Sequence, residues 1–334
     1  MGDTTTTRQF ARLVSVFVLL LLALWTPAEA QTYPSRAIHI IVTSGAGGFT
    51  DLIARFYGQK LAERTGQSVA VENVTGAAGL LATDRVAKSA PDGYTLLVAS
   101  PGPVAVGPYL RTAPYDPLKD LTAVAFLATT PTAFAVNSSL LPVSSFQEFI
   151  AYAKARPGQI SYSSPGYGSL MHLGGELLRV MAGIEIVHVP YRGTVPGMAA
   201  LVAGDVQAGF GDLPALFAQT QSDAAKVRIL ALVDPMRSTF TPDVPTVAGC
   251  CLPGYDASGW GMLLGPAGLP KDVIAFLNGE ARAIFDLPDV RLAMQRAVIE
   301  PAVLPPDKSA AFLKEQNEKW SKVIRDAKIT LKQD

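Results

Sequence analysis

The sequence predicts an α/β fold of two lobes, each a mostly parallel sheet flanked by helices, joined by a hinge that the chain crosses twice. Three observations predict it. A short apolar strand that runs into a glycine-rich loop and then a helix occurs twice: Ile38-His39-Ile40-Ile41-Val42 leads into Thr43-Ser44-Gly45-Ala46-Gly47-Gly48-Phe49-Thr50-Asp51, and Ile160-Ser161-Tyr162-Ser163-Ser164 leads into Pro165-Gly166-Tyr167-Gly168-Ser169. Each copy opens a strand–helix alternation of the kind that builds a parallel sheet. Two connecting stretches, residues 126–136 and 231–235, separate the halves. The lobes are therefore expected at residues 33–130 plus 236–334 and at residues 131–235.

In the first half, Leu52, Ile53, Phe56, Tyr57 and Leu61 fall at helical spacing, with Asp51 where a cap belongs and Gly66 at the end. Residues 68–72 read as strand, and Asn73-Val74-Thr75-Gly76-Ala77-Ala78-Gly79 as a second small-residue loop before a helix that runs to about Ser89. Pro91-Asp92-Gly93 signals a turn, and residues 94–99 form a third strand. The same order returns in the second half. Leu170, Leu173, Leu177, Leu178 and Met181 mark a helix, residues 184–189 a strand, and Pro190-Tyr191-Arg192-Gly193-Thr194 a loop. Residues 195–203 read as helix and 206–210 as strand, with Gly211-Asp212 at its end. Pro/Gly-rich chain follows at residues 241–270, then helices at 271–286, 288–298 and 307–328.

Arg8 and Arg12 precede an apolar run at residues 13–25. That run is too short for a membrane span, which needs ~20 residues. Ala28-Glu29-Ala30 forms a small-x-small cleavage site, so residues 1–30 read as a secretory signal peptide. Lys plus Arg number 28 and Asp plus Glu 28. This balance argues against nucleic acid and against steering of ligands by net charge, so an anion must be held by local geometry. Cys250 and Cys251 are adjacent and are the only cysteines. They are either two packed thiols or a vicinal bridge, and neither arrangement staples the fold.

With these loops placed, the chain resembles the solute-binding receptors of the tripartite tricarboxylate transporter family, also called the Bug family. The resemblance runs from Tyr33-Pro34-Ser35-Arg36 to the final helix. In the first lobe it is carried by Ala46-Gly47-Gly48-Phe49-Thr50-Asp51, by Val71-Glu72-Asn73 with Gly76-Ala77-Ala78-Gly79, and by Ala90-Pro91-Asp92-Gly93-Tyr94-Thr95-Leu96. In the second it is carried by Tyr167-Gly168-Ser169-Leu170-Met171-His172-Leu173 and Val189-Pro190-Tyr191-Arg192-Gly193. It implies the periplasmic-binding-protein, or Venus flytrap, fold. Such a protein closes on a small organic acid in the periplasm and hands it to membrane permease subunits. A monomer with no cofactor and no metal is expected. Two departures touch the pocket wall: Thr43-Ser44-Gly45 stands where the family usually has Pro-Phe-Pro or similar, and Val74-Thr75 where Arg-Pro often precedes the first glycine.

Each glycine loop presents backbone N–H groups at the positive end of a helix, a place for an anion. In the first lobe Gly47, Gly48, Phe49 and Thr50 are expected to supply N–H groups and the Thr50 hydroxyl, the two glycines exceeding what a turn needs. Ser100, just past the third strand, joins them. In the second lobe Ser164, Tyr167, Gly168 and Ser169 are expected to grip the other end of the ligand. His172, one turn beyond Ser169, faces either the pocket or a structural partner. Arg192, beside Gly193, either pairs with a carboxylate or stays a loop cation. Asp212 either takes an amine or hydroxyl of the ligand or caps a turn. Phe49 and Tyr167 offer stacking surface, whereas Tyr33 and Trp260 read as core.

An enzyme is the rival class. The Gly45–Thr50 loop imitates a dinucleotide fingerprint, but Thr50 replaces the third glycine. No Gly-x-Ser-x-Gly elbow is present, and His39, His172 and His188 lack metal-ligand spacing. The sequence therefore predicts a binding protein, not an enzyme. A sensor that presents its closed form to a membrane signalling kinase is the alternative output of the same clamshell.

Overall fold

The computed structural model describes residues 33–191, 194–213, 216–217 and 226–329. The signal-peptide expectation and the site expectations for Arg192 and Gly193 lie outside the described residues. The main compact unit is Arg36–Asp334; of the unit Met1–Ser35, residues 33–35 are described and hold a cis Tyr33–Pro34 bond.

The first sheet begins with β1 (Ile38–Val42), α1 (Phe49–Thr65), β2 (Val69–Asn73), a 3-10 turn (Ala77–Gly79), α2 (Leu80–Ala87) and β3 (Thr95–Ala99). Both β2 and β3 pair with β1 in parallel. Ile38, Ile40, Ile41 and Val42 are fully buried, as a parallel strand covered on both faces requires. A π-helical turn (Gly102–Val106) and α3 (Gly107–Leu110) lead to β4 (Leu121–Thr130). The second lobe follows as β5 (Thr132–Asn137), α4 (Phe146–Lys154), β6 (Ile160–Ser164), α5 (Leu170–Ala182), β7 (Ile186–Pro190), α6 (Thr194–Ala203), β8 (Ala208–Asp212) and β9 (Val227–Leu232). The chain then forms α7 (Val247–Cys250), β10 (Gly259–Pro266), α8 (Lys271–Phe285), α9 (Pro288–Arg296), β11 (Glu300–Pro301) and α10 (Pro306–Asp326).

The strand orders are β11-β4-β10-β3-β1-β2 and β7-β6-β8-β5-β9. Parallel pairs form one part of each sheet, and antiparallel pairs occur where the chain passes between lobes. Residues 126–136, expected as a connector, are strand on both sides of Pro131. Proline has no N–H to donate to a ladder, so the change of sheet falls at a residue that needs no partner there.

The return crossing comes later than the expected boundary after Asp234-Pro235. Leu232 N–H donates to the Pro245 carbonyl (2.8 Å), and Ala257 N–H to the Val233 carbonyl (2.9 Å). Tyr255 donates its hydroxyl proton to the Gly174 carbonyl of α5 over 2.9 Å. These bonds keep residues 232–257 against the second lobe, while Ser238 and Thr239 also donate to Glu300 of β11, before β10 enters the first sheet at Gly259. The first crossing is clipped to the end of β9. Thr132 N–H donates to Asp234 Oδ2 (2.9 Å), and Val233 N–H to the Thr132 carbonyl (2.9 Å).

Aromatic rings fill the second lobe: Phe134 meets Phe149 at 4.6 Å and Phe210 at 5.0 Å between centroids. Such tilted and edge-on contacts suit the ring quadrupoles. Helix α10 packs on both β4 and α5, burying Trp320 completely. Cys250 and Cys251 are joined as a vicinal disulfide, which decides between the two alternatives left by the sequence.

Candidate functional site

Loop 43–48 is held from within. Gly48, not Asp51, is the N-cap of α1, and it offers no side-chain bond. Asp51 lies in the first turn and reaches back. Its carboxylate accepts from Gly47 N–H (2.8 Å), Asn73 Nδ2 (2.9 Å) and Arg55 Nε (2.9 Å). Burial opposes ionisation of Asp51, but the bonds from Arg55, Gly47 and Asn73 outweigh it and hold the carboxyl below the usual range. Gly48 N–H donates to the Gly45 carbonyl (3.1 Å), and the Thr50 hydroxyl to Ser44 Oγ (2.7 Å). The Gly47 and Gly48 amides and the Thr50 hydroxyl are therefore spent inside the loop and are not the free donors that were expected. The fold alone also requires both glycines. Gly47 has φ +77°, and a Cβ on Gly48 would lie 2.8 Å from Ser44 Oγ. What remains is the first-turn backbone N–H groups of α1, which have no acceptor within the helix.

Loop 165–169 is built similarly. Gly166 and Gly168 take φ of 138° and 75°, where a side chain is strained. Ser169 caps α5, accepting from His172 N–H (3.2 Å) and donating to the Gly166 carbonyl (2.8 Å). Leu170 and Met171 are the first two residues of the helix, so their N–H groups have no helical acceptor.

His172 is buried and takes the structural role. Its Nδ1 accepts from Gly168 N–H over 3.1 Å, and its ring stacks on His188 at 4.0 Å. Tyr167 meets both imidazoles edge-on, at 5.5 and 5.0 Å. Burial lowers the His172 pKa, while burial followed by the neighbouring His172 pushes His188 down to about 3. Both rings are therefore neutral near pH 7. Ser164 is buried beneath the loop, its Oγ 2.6 Å from His188 Nε2. This serine–histidine pair is not a hydrolytic one, because Ser164 is shut away and no described acid partners His188 Nδ1.

A cavity of about 390 Å³ lies between the lobes. Of the expected residues, Phe49, Ser100, Tyr167, Gly168, Ser169 and Asp212 line it. Gly47, Gly48, Thr50, Ser164 and His172 are not among its lining residues. Leu170 and Met171 line it as well, so α5 starts at the cavity, and Phe49 brings the start of α1 there. Sequence reasoning missed Ala78, Thr130 and Thr132. Trp260 is fully buried yet reaches the cavity, and its Nε1–H has no acceptor among the described residues. Thr130 and Thr132 flank Pro131, so the first crossing is also a wall of the cleft. Ala77 and Ala78 hold left-handed φ of 46° and 56°, a conformation costly without glycine. Burial raises Asp212 to about 6.

A second cavity of about 410 Å³ lies at the hinge, against Pro131, Asp234 and Phe312. Its carboxylates Asp256 and Glu300 outnumber Arg237, which suits it poorly to an anion. Among the described residues, no group of His, Cys, Asp or Glu is placed to hold a metal.

The family described as tripartite tricarboxylate transporter family receptor matches residues 53–329. Protein BugT of Bordetella pertussis is 35% identical over 92% of this chain and 94% of its own length. Two solved structures are similar. Rpa4515 of R. palustris with adipate is 33% identical, with 89% of this chain and 99% of that chain covered and a TM-score of 0.74. MatC (Rpa3494) of Rhodopseudomonas palustris with bound malate is 29% identical, with 87% and 100% covered and a TM-score of 0.70.

Proposed function

For a chain that belongs to the receptor family of tripartite tricarboxylate transporters, we infer capture of a small organic carboxylate in the cleft between the lobes and delivery to membrane permease subunits. Membership makes the protein a solute-binding receptor and not an enzyme. The observation that carries the ligand class is that α1 and α5, one from each lobe, begin at the same cavity. Similar proteins hold adipate and malate, both carboxylates.

No lysine or arginine among the described residues lines the cleft, and none is needed. A charge-assisted hydrogen bond contributes roughly 1.5–3 kcal/mol net. A helix N-terminus adds roughly 0.3–1 kcal/mol, more when partly buried. A micromolar ligand requires ~8 kcal/mol in total, so three or four N–H donors with some apolar contact suffice. Phe49, Tyr167 and Trp260 supply that contact. Closure about the crossings at Pro131 and just before Gly259 brings the two grips together, and a permease then distinguishes loaded from empty receptor.

The periplasm fits this role. Residues 1–30 carry the charged, apolar and small-residue pattern of a leader, and no described helix is long and apolar enough to cross a membrane.

A thermal-shift screen tests the reading, using chain from Gln31 onward, unfolded and refolded to strip carried-over ligand. Aliphatic di- and tricarboxylates, amino acids and aromatic acids are compared with their neutral amides. A ligand at a hundred times its Kd adds ~2.7 kcal/mol, a clear rise in Tm. A rise with an acid and none with its amide is expected. Equal responses to acid and amide, or silence across the panel, would contradict it.

A further inference from the structure

The cleft is chemically lopsided. Among the described residues lining it, Asp212 is the one charged side chain. Burial alone acts on its carboxyl, with no hydrogen bond and no opposing charge among the described residues. Other carboxylates set into the fold are answered. Asp51 has Gly47, Asn73 and Arg55, and Asp256 has Lys319 Nζ at 2.6 Å and the Ser258 hydroxyl at 2.6 Å; Asp234, outside this cleft, has one backbone N–H, of Thr132.

The position of Asp212 is also fixed. It ends β8 directly opposite Thr132, and the next N–H, of Leu213, donates to the Pro131 carbonyl over 3.0 Å. The carboxylate therefore stands beside the first hinge crossing and in the cavity wall, not on a free loop. The strand end does not need it, since these backbone bonds form whatever the side chain.

We propose that the ligand carries a protonated amino nitrogen as well as its carboxylate, and that Asp212 receives the nitrogen. The inference rests on the carboxylate reading of the cleft. The helix starts of α1 and α5 offer donors only, and these suit the acid group. Asp212, when ionised, offers acceptors only. A second carboxylate at that end would meet a like charge with no described cation to neutralise either. A neutral hydroxyl would leave the half-buried charge without a counter-charge. An ammonium group supplies both charge and N–H donors. The raised pKa of about 6 fits this reading, because it marks a carboxylate that burial disfavours and no resident partner relieves, yet one still largely ionised at pH 7. The cavity, about 390 Å³, is of a size for a small amino acid.

The test is titration calorimetry of the refolded chain with two matched series. One holds ω-amino acids of three to five carbons and unsubstituted L-α-amino acids. The other holds straight-chain mono- and dicarboxylates of the same lengths. Amine-bearing acids are expected to bind at least about tenfold tighter than their amine-free partners. Asp212→Asn, nearly isosteric, is expected to erase that ratio without weakening the amine-free acids. Tighter binding of dicarboxylates by the parent protein overturns the proposal with no variant needed. An equal loss for both series in Asp212→Asn also overturns it. Binding confined to amine-free acids sinks this proposal and spares the carboxylate reading, whereas no binding in either series removes both.

Discussion

The backbone N–H of Gly168 donates to Nδ1 of His172 over 3.1 Å, so the loop that lines the cleft is tied to the first turn of its own helix by an imidazole rather than by a carbonyl. The bond requires Nδ1 to accept, which places the ring proton on Nε2. His172→Phe keeps a ring in the stack on His188 but leaves the Gly168 N–H without its acceptor. Loss of about 1 kcal/mol of stability is expected in urea, together with a roughly tenfold weaker ligand. Unchanged affinity would show that the loop holds its shape without this bond.

His188 governs an acid-side loss of stability. Burial, then the adjacent His172, lowers its pKa to about 3, below the ~6.5 of an unfolded chain. The unfolded state therefore binds the proton first, and stability falls as pH drops from 6.5 toward 3. His188→Asn should flatten the Tm–pH curve across that window relative to the parent. Parallel curves would mean that the ring titrates normally.

Asp234 acts on the opposite limb. Burial raises its pKa to about 8, and the Thr132 N–H only partly offsets this. The native state keeps the proton while the unfolded state loses it above pH ~4, so stability declines as pH rises through 8. Asn at this position can still accept from Thr132. Asp234→Asn should match the parent near pH 4 and gain on the order of 1–3 kcal/mol by pH 8, read as a Tm rise of several degrees. A constant difference at every pH would refute the assignment.

The sheet-forming halves were legible because apolar strands followed by glycine loops leave few alternatives, as at residues 38–51 and 160–169. Gly47 and Gly48 were misread for a physical reason. The same residue type serves positive φ, close packing against Ser44 and ligand approach, and spacing does not separate these uses. Thr130, Thr132 and Trp260 reach the cleft only because β4 and β5 run on through Pro131 and β10 pairs beside them. That adjacency joins residues far apart in the chain and leaves no local mark. The stack of His172 on His188 was hidden likewise, since it depends on α5 lying over β7.

The Cys250–Cys251 disulfide closes no loop of chain, so it removes almost no freedom from the unfolded state. Reduction with dithiothreitol is expected to move Tm by less than about 2 °C and to leave ligand affinity unchanged. A large fall in either would assign the bridge a structural role through its packing at α7.

The central claim is that ligand occupies the cleft between the lobes. Gly102 lines that cleft, and a Cβ there meets nothing closer than the Ala78 carbonyl at 3.8 Å and Ser100 Oγ at 4.0 Å, with no positive φ to strain it. Gly102→Phe should therefore fill the cavity without disturbing the fold. The deciding measurement is calorimetric titration of this variant with the tightest acid from the parent screen. Loss of binding with an unchanged ligand-free Tm is predicted; parent-like affinity in the folded variant would place the ligand somewhere other than this cleft.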